Sequence, residues 1–269
     1  MQAQTDRISI EYDLAFMTAF HCGTGIREAL IDRTVMRNSG GYLYVPGSTL
    51  KGVLRERCEQ LARFYEPGKQ EEREKEERAQ SPHDAEAALW GLGKGKPRMV
   101  TRIFGSQNRP GRLFFDDAEQ TADEIKEYDS QESEGKGKYR DLQVGVYTQV
   151  RLDRPTRTAV QGALYSSEFG NSDIPFRGTI QGWLACETID SGAASSGQSS
   201  YTPTYSLLLL LAGLRMIERI GGNKSAGKGH CECAIKRVEI NGVEYGEVDW
   251  KSWLGQLDAL AQYDRAEEE

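Results

Sequence analysis

No apolar run in this 269-residue chain is long enough to cross a bilayer. The longest, Leu207 to Leu211 with its flanks, falls far short of the roughly 20 residues that a spanning helix needs. The N-terminus has no basic head followed by an apolar stretch, so no export signal is read and a cytoplasmic protein with no membrane partner is expected. Cysteine is sparse and odd in number, with Cys22, Cys58, Cys186, Cys231 and Cys233 at irregular spacing. That pattern speaks against a disulfide framework and for reduced thiols. Only three histidines are present, which leaves little material for imidazole-centred chemistry. The length allows one elaborated domain or two small ones, with a core large enough to need no staple or tightly bound organic cofactor.

Positive charge is also short, with a formal net charge of −7, which taken alone argues against a nucleic-acid binder. The acid is not spread evenly. Residues 65–90, 116–134 and 258–269 carry −4, −8 and −4, and read as insertions or a tail, so the rest of the chain carries +9. Field and counterion release depend on where charge lies, and a basic body with an acidic periphery can still neutralise phosphates.

Among the features present, Val45-Pro46-Gly47-Ser48-Thr49-Leu50-Lys51-Gly52 stands out. A proline-glycine turn runs through two hydroxyls into a helix whose buried stripe is Leu50, Val53, Leu54, Cys58 and Leu61. Two readings are open. Ser48 or Thr49 is an N-cap, or the free N–H groups of the first turn, with Gly47, hold an anion. Lys51 and Arg55, four residues apart, can act jointly.

Upstream, Ile8, Ile10, Tyr12, Leu14 and Phe16 alternate as in a half-buried strand. A loop from Gly23 to Gly41 follows, holding Asp32, Arg33, Arg37 and Asn38. Downstream, residues 66–98 form a charged insertion with no apolar stripe, helical or disordered. Arg112 to Asp116 is a strand, and Asp116 and Asp117 read as its structural end. Val146 to Glu168 reads as two extended arms about a turn rich in Arg151, Arg154 and Arg157, a basic hairpin. A strand through Phe176, Ile180 and Leu184 comes next. Thr202 and Pro203 then start a helix with Leu207, Leu210, Leu211, Leu214, Ile217 and Ile220 inside, ending at Gly221. Cys231 to Ile240 is a strand, and Trp250 to Leu260 a closing helix.

This order gives βαββαβ, an α+β fold of ferredoxin-like or RNA-recognition-like type with long insertions. No aromatic ribonucleoprotein motif appears on the strands, so binding is expected at loops and helix ends. The loop Gly221 to Gly229 superficially matches a nucleotide P-loop. However, Gly229 stands where Ser or Thr should bind magnesium, and the loop leads from helix to strand, the reverse of a P-loop. It is either a helix C-cap and turn, or a basic nest in which Lys224, Ser225 and Lys228 grip phosphates. His230-Cys231-Glu232-Cys233 offers metal-ligand types, but its spacing fits no standard zinc motif, and the two cysteines share a strand face as core residues do.

Taken together, Tyr44-Val-Pro-Gly-Ser-Thr-Leu-Lys-Gly with Arg55, Ile103-Phe104-Gly105, Leu152-Asp-Arg-Pro-Thr-Arg-Thr-Ala with Gly162-Ala-Leu-Tyr, and the Gly221 loop resemble the RAMP superfamily of CRISPR-associated proteins. The resemblance covers most of the chain and is strongest to the repeated backbone subunit of type III effector complexes. It implies one RAMP domain over residues 1–269: a modified ferredoxin-like palm with a β-hairpin thumb at about 146–170 and an acidic tail at 258–269. It also implies guide CRISPR RNA, target RNA, further copies of the chain and other type III effector subunits as partners. Ser48, Thr49, Lys51, Arg55, Lys224, Ser225 and Lys228 would hold guide phosphates, with Arg151, Arg154 and Arg157 on the thumb and His21 as a minor candidate. Asp32, in Leu30-Ile31-Asp32-Arg33-Thr34-Val35, matches the loop aspartate that cleaves target RNA, with a divalent metal such as Mg2+ and with Arg33 and Arg37 near the phosphate. Two rivals are a scaffold that holds guide RNA without cutting, and a processing endonuclease centred on His21.

Overall fold

The computed structural model describes residues 5–27, 30–65, 99–106, 109–123, 125–126, 142–172, 174–189 and 201–263. The insertion at 66–98 and the serine-glycine loop at 191–200 lie outside them. The chain runs β1 (Thr5–Phe16), α1 (Gly47–Tyr65), α2 (Met99–Phe104), β2 (Gly105–Ser106), β3 (Arg109–Pro110), β4 (Leu113–Phe115), β5 (Val144–Asp153), β6 (Thr158–Gly170), β7 (Pro175–Ala185), α3 (Tyr205–Arg215), β8 (Cys231–Ile240), β9 (Val243–Tyr245) and α4 (Glu247–Leu254). Short 3₁₀ turns lie at Lys224–Ala226 and Leu257–Gln262.

The main sheet is antiparallel, in the order β4-β7-β1-β8-β9. The alternation in β1 sends Ile8, Ile10, Tyr12, Leu14 and Phe16 to one face, where all are buried. β7 pairs with β1 through Ile10↔Ile180 and Leu14↔Phe176, and β8 through Ile10↔Val238 and Leu14↔Cys233, so their apolar residues join the same layer. The other face is polar. Arg177 lies 2.8 Å from Asp13 and 3.3 Å from Glu11, while Lys236 lies 3.4 Å from Asp13.

Helices α1 and α3 cover the apolar face. Every residue of α3 from Tyr205 to Leu214 is buried, which is why its leucine run has no polar side. The two helices cross closely at Gly213, where an added Cβ would lie 2.6 Å from Cys58 Sγ. Burial in this apolar layer pushes the Cys22, Cys231 and Cys233 thiols up to about 12.

Several sequence expectations shift here. The α3 cap is Thr204, whose Oγ1 accepts from Leu207 N at 3.2 Å, in place of Thr202, and the helix stops at Arg215. Ile217 and Ile220 remain buried from the connection that follows. The closing helix is split into α4 and a 3₁₀ turn. Leu260 and Tyr263 are buried in the core, so the tail expected from residue 258 is folded at least through 263. Residues 116–121 belong to the body as well, since Ala118 bridges Val45, Glu119 bridges Arg177, and Gln120 is buried. Net acidity does not distinguish a mobile loop from a strand end whose alternate residues point inward.

Candidate nucleic-acid interface

Beyond Phe16 the chain turns at Phe20, which exchanges two backbone hydrogen bonds with Gly170 at the end of β6. A side chain at 170 would have to displace the buried Phe20 ring, because its Cβ would sit 2.4 Å from it. This pairing fixes the root of the β5–β6 hairpin against the body. A second anchor is the amide pair Gln120–Gln143. Gln143 Nε2 donates to Gln120 Oε1 at 3.1 Å, and Leu43 N donates to Gln143 Oε1 at 2.9 Å.

His21 follows immediately. Its Nδ1 lies 2.8 Å from the Glu168 carbonyl, an obligate acceptor, so Nδ1 carries a proton and donates this bond. Gly222 N donates to the His21 carbonyl at 2.8 Å, which ties the second glycine-rich loop to the end of β1. Gly221, at φ +93°, faces that carbonyl so closely that a Cβ would lie 2.6 Å away.

The loop holding Asp32 folds onto β6. Asp32 N donates to Ser166 O at 2.9 Å, and Ser166 N donates to the Asp32 carboxylate at 3.0 Å. Val35 N donates to Glu168 Oε2 at 3.0 Å, and Arg37 pairs with Glu168 Oε1 at 3.4 Å. Arg37 is therefore committed to the hairpin's base. Arg33 is exposed, with its guanidinium 5.4 Å from the Tyr165 ring centre.

These attachments create a groove of about 570 Å³. His21, Arg27, Asp32, Arg33, Thr49, Gly221 and Gly222 line it, so residues up to about 200 positions apart in sequence share one cleft. Lys228 stands at the hairpin root, 4.4 Å from the Tyr147 ring centre and 5.2 Å from that of Phe169. Lys224 lies 3.8 Å from Glu56 on α1, and Ser225 is exposed beside it. Arg151, Arg154 and Arg157 are all exposed on the distal half of the hairpin, around the turn between Asp153 and Thr158. Arg27 escaped the sequence reading although it lies in the same loop as Arg33.

The turn at Val45–Gly52 behaves differently from an open anion cradle. Helix α1 begins at Gly47, and Gly47 N donates to Asp117 Oδ1 at 2.8 Å. A carboxylate therefore already answers the positive end of the helix dipole. Gly47 is needed because β4 runs across it: a Cβ would lie 2.1 Å from the Phe115 carbonyl oxygen. The cap comes neither from Ser48 nor from Thr49. Thr49 and Val53 face the groove, whereas Ser48, Lys51 and Arg55 lie outside its lining. Lys51 sits 5.7 Å from the Phe115 ring centre, and Arg55 bonds Glu59 at 2.9 Å and the Gly105 carbonyl at 3.4 Å. Positions 51 and 55 are half a helical turn away from 49 and 53, which separates the two pairs.

Among the described residues no three His, Cys, Asp or Glu side chains converge as metal ligands. No described helix is long and apolar enough to cross a membrane.

A family model of the RAMP superfamily matches residues 13–232, most of the chain. The protein belongs to the RAMP superfamily. Its fold is similar to chains in two solved structures, a cryo-EM structure of the type III-B Cmr-beta bound to cognate target RNA and the Cmr-beta apo state. The identities are 13% and 14%; each match covers 84% of this chain and 96% of the other, with a TM-score of 0.49. No curated protein matches the sequence.

Proposed function

We propose that this chain is a guide-RNA-binding backbone subunit of a type III CRISPR effector complex that cleaves complementary target RNA through Asp32. The observation that carries the reading is the groove itself. It places one carboxylate, on a loop clamped to β6, among His21, Arg27, Arg33 and the Gly221–Gly222 backbone. Membership of the RAMP superfamily supplies the class.

The strand order β4-β7-β1-β8, with α1 and α3 on one face, supports a ferredoxin-like palm within a single RAMP domain, and β5–β6 is the thumb. Guide phosphates lie along Lys224, Ser225 and Lys228, and the thumb arginines reach the paired strand. Ser48, Lys51 and Arg55 can contribute only from outside the groove. Copies of the chain and other effector subunits complete the assembly.

One carboxylate oxygen suits a divalent ion that arrives with RNA, because Mg2+ takes one or two carboxylates together with substrate phosphates and water. When bound, such an ion polarises the scissile phosphate. Asp32 would hold it, and Arg27 and Arg33 neutralise phosphate charge. If the neighbouring 2′-hydroxyl attacks, a cyclic phosphate end results. A scaffold reading is favoured by one observation: Asp32 already anchors Ser166 N.

Purifying the complex from its native cells and sequencing its RNA tests the class, with short guides sharing a repeat-derived end as the expected result. Complementary target added to that complex should be cut at regular spacing. Absence of guide RNA refutes the assignment.

A further inference from the structure

The open face of the sheet carries a feature that the groove does not use. Phe114 on β4 and Trp183 on β7 are 58% and 46% exposed, and their ring centres lie 6.5 Å apart at 80°. Register brings them together: Phe114 pairs with Gln181, Leu113 with Gly182, and Arg7 on β1 lies opposite Trp183. Trp183 N donates to the Arg112 carbonyl at 3.1 Å. Gly182, at φ +146°, permits this approach, because a Cβ there would lie 2.1 Å from the same oxygen.

The two rings, with Thr5, Gly111 and Arg112, border a hollow of about 420 Å³. None of these lining residues is acidic. Elsewhere on this face the cations are neutralised: Arg177 and Lys236 pair with Asp13, and Arg237 pairs with Glu239 and Glu244. Arg7 and Arg112 are exposed and form no ion pair among the described residues. Two exposed π faces between two uncompensated guanidinium groups match the chemistry of a flexible polyanion whose repeating unit has a flat face.

We infer that Phe114 and Trp183, flanked by Arg7 and Arg112, form a stacking platform for unpaired single-stranded RNA. The rings take bases without regard to sequence, since every base has a π face, and the arginines take the flanking phosphates. From Arg7 to Phe16 the extended chain covers about 30 Å, so the platform and the groove lie toward opposite ends of β1. The platform is therefore a second RNA contact, and stacking at Trp183 and cutting at Asp32 fail independently.

The test uses the full chain with a short oligouridylate bearing 5-iodouridine, which crosslinks to aromatic side chains on illumination. Mass spectrometry is expected to find adducts on Trp183 or Phe114. Trp183→Ala with Phe114→Ala should weaken oligouridylate binding by about tenfold or more, whereas Trp183→Phe, which keeps a ring, should bind within about threefold of the parent. Melting curves confirm that both variants fold; if the double variant does not, the adduct map and Trp183→Phe decide. Adducts confined to Tyr147, Tyr165 and Phe169, or parental affinity in the folded double variant, overturn the inference. So does loss of effector-subunit binding in that variant with RNA affinity unchanged, which assigns the patch to a protein.

Discussion

Asp32 anchors its loop to β6, and a pair of substitutions can separate that role from the catalytic one proposed for it. Its carboxylate accepts from Ser166 N at 3.0 Å, and its own N–H bonds Ser166 O at 2.9 Å, so the loop and β6 are joined at this point. Asp32→Ala removes the acceptor and leaves a partly buried N–H without a partner, costing about 1–3 kcal/mol. Unfolding entropy of about 2.1 cal/mol/K per residue gives roughly 0.6 kcal/mol per kelvin for a chain of this length, so Tm should fall by about 2–5 °C. Asp32→Asn keeps an amide oxygen as acceptor and loses only charge assistance, so its Tm should fall by less than about 2 °C. If the carboxylate performs the chemistry, both variants should lose about 100- to 10,000-fold in target cutting. Guide binding should stay near parental. The assay is single-turnover cleavage of labelled complementary RNA by the assembled complex, alongside thermal melting of each variant. Parental cutting by Asp32→Asn, with loss only in Asp32→Ala, would refute the catalytic assignment. The residue would then be an anchor for the loop, and the scaffold reading would stand.

Three further outcomes can be checked. Asp117→Ala removes the carboxylate that caps α1, which should cost about 1 kcal/mol and roughly 2 °C in thermal melting, with Asp117→Asn losing less. Replacing Arg151, Arg154 and Arg157 together by Ala should weaken RNA binding and flatten its dependence on salt, by about 0.7 in the log–log slope for each phosphate that the hairpin no longer neutralises. Fluorescence anisotropy over a KCl series measures this, and an unchanged slope excludes the hairpin tip from phosphate binding. Burial pushes the Asp13 carboxyl up, but the Arg177 hydrogen bond and charge, with Lys236, outweigh it and hold the group below its ordinary value of 3.8. A depressed carboxylate stabilises the fold above its unfolded value and loses that contribution as pH falls through the folded one. Asp13→Asn should therefore lower Tm at pH 7, and by progressively less as the pH is taken down below 3.8, as read by melting curves over an acid series.

Local pattern made much of the architecture legible. The alternation of Ile8 to Phe16, the helical spacing of Leu50 to Leu61, and the leucine run at 207–211 each encode a period and a buried face, and such information needs no distant partner. The hairpin around Arg151, Arg154 and Arg157 was readable for the same reason, because its strands are neighbours in sequence. Where the cap depended on tertiary neighbours, local reading failed. Thr204 replaced Thr202, and the partner of α1's first N–H came from Asp117, seventy residues away. Gly47 looked like an opening for a ligand, yet it is there to admit the Phe115 backbone.

The site divides along the same line. Sequence alone singled out Asp32, His21 and the Gly221 loop as chemistry-bearing residues, through residue type and resemblance. It could not say that they share a groove, that Arg37 is spent on Glu168, or that Lys51 and Arg55 fall on another face of α1. The stacking pair Phe114 and Trp183 was invisible for a similar reason, because each is one aromatic residue on its own strand until the β4–β7 register sets them side by side. Periodicity is a property of consecutive residues, so the chain determines by itself which elements form and which faces they bury. Adjacency across a sheet, or between a loop and a hairpin, depends on strand order and register, which only the packed core decides.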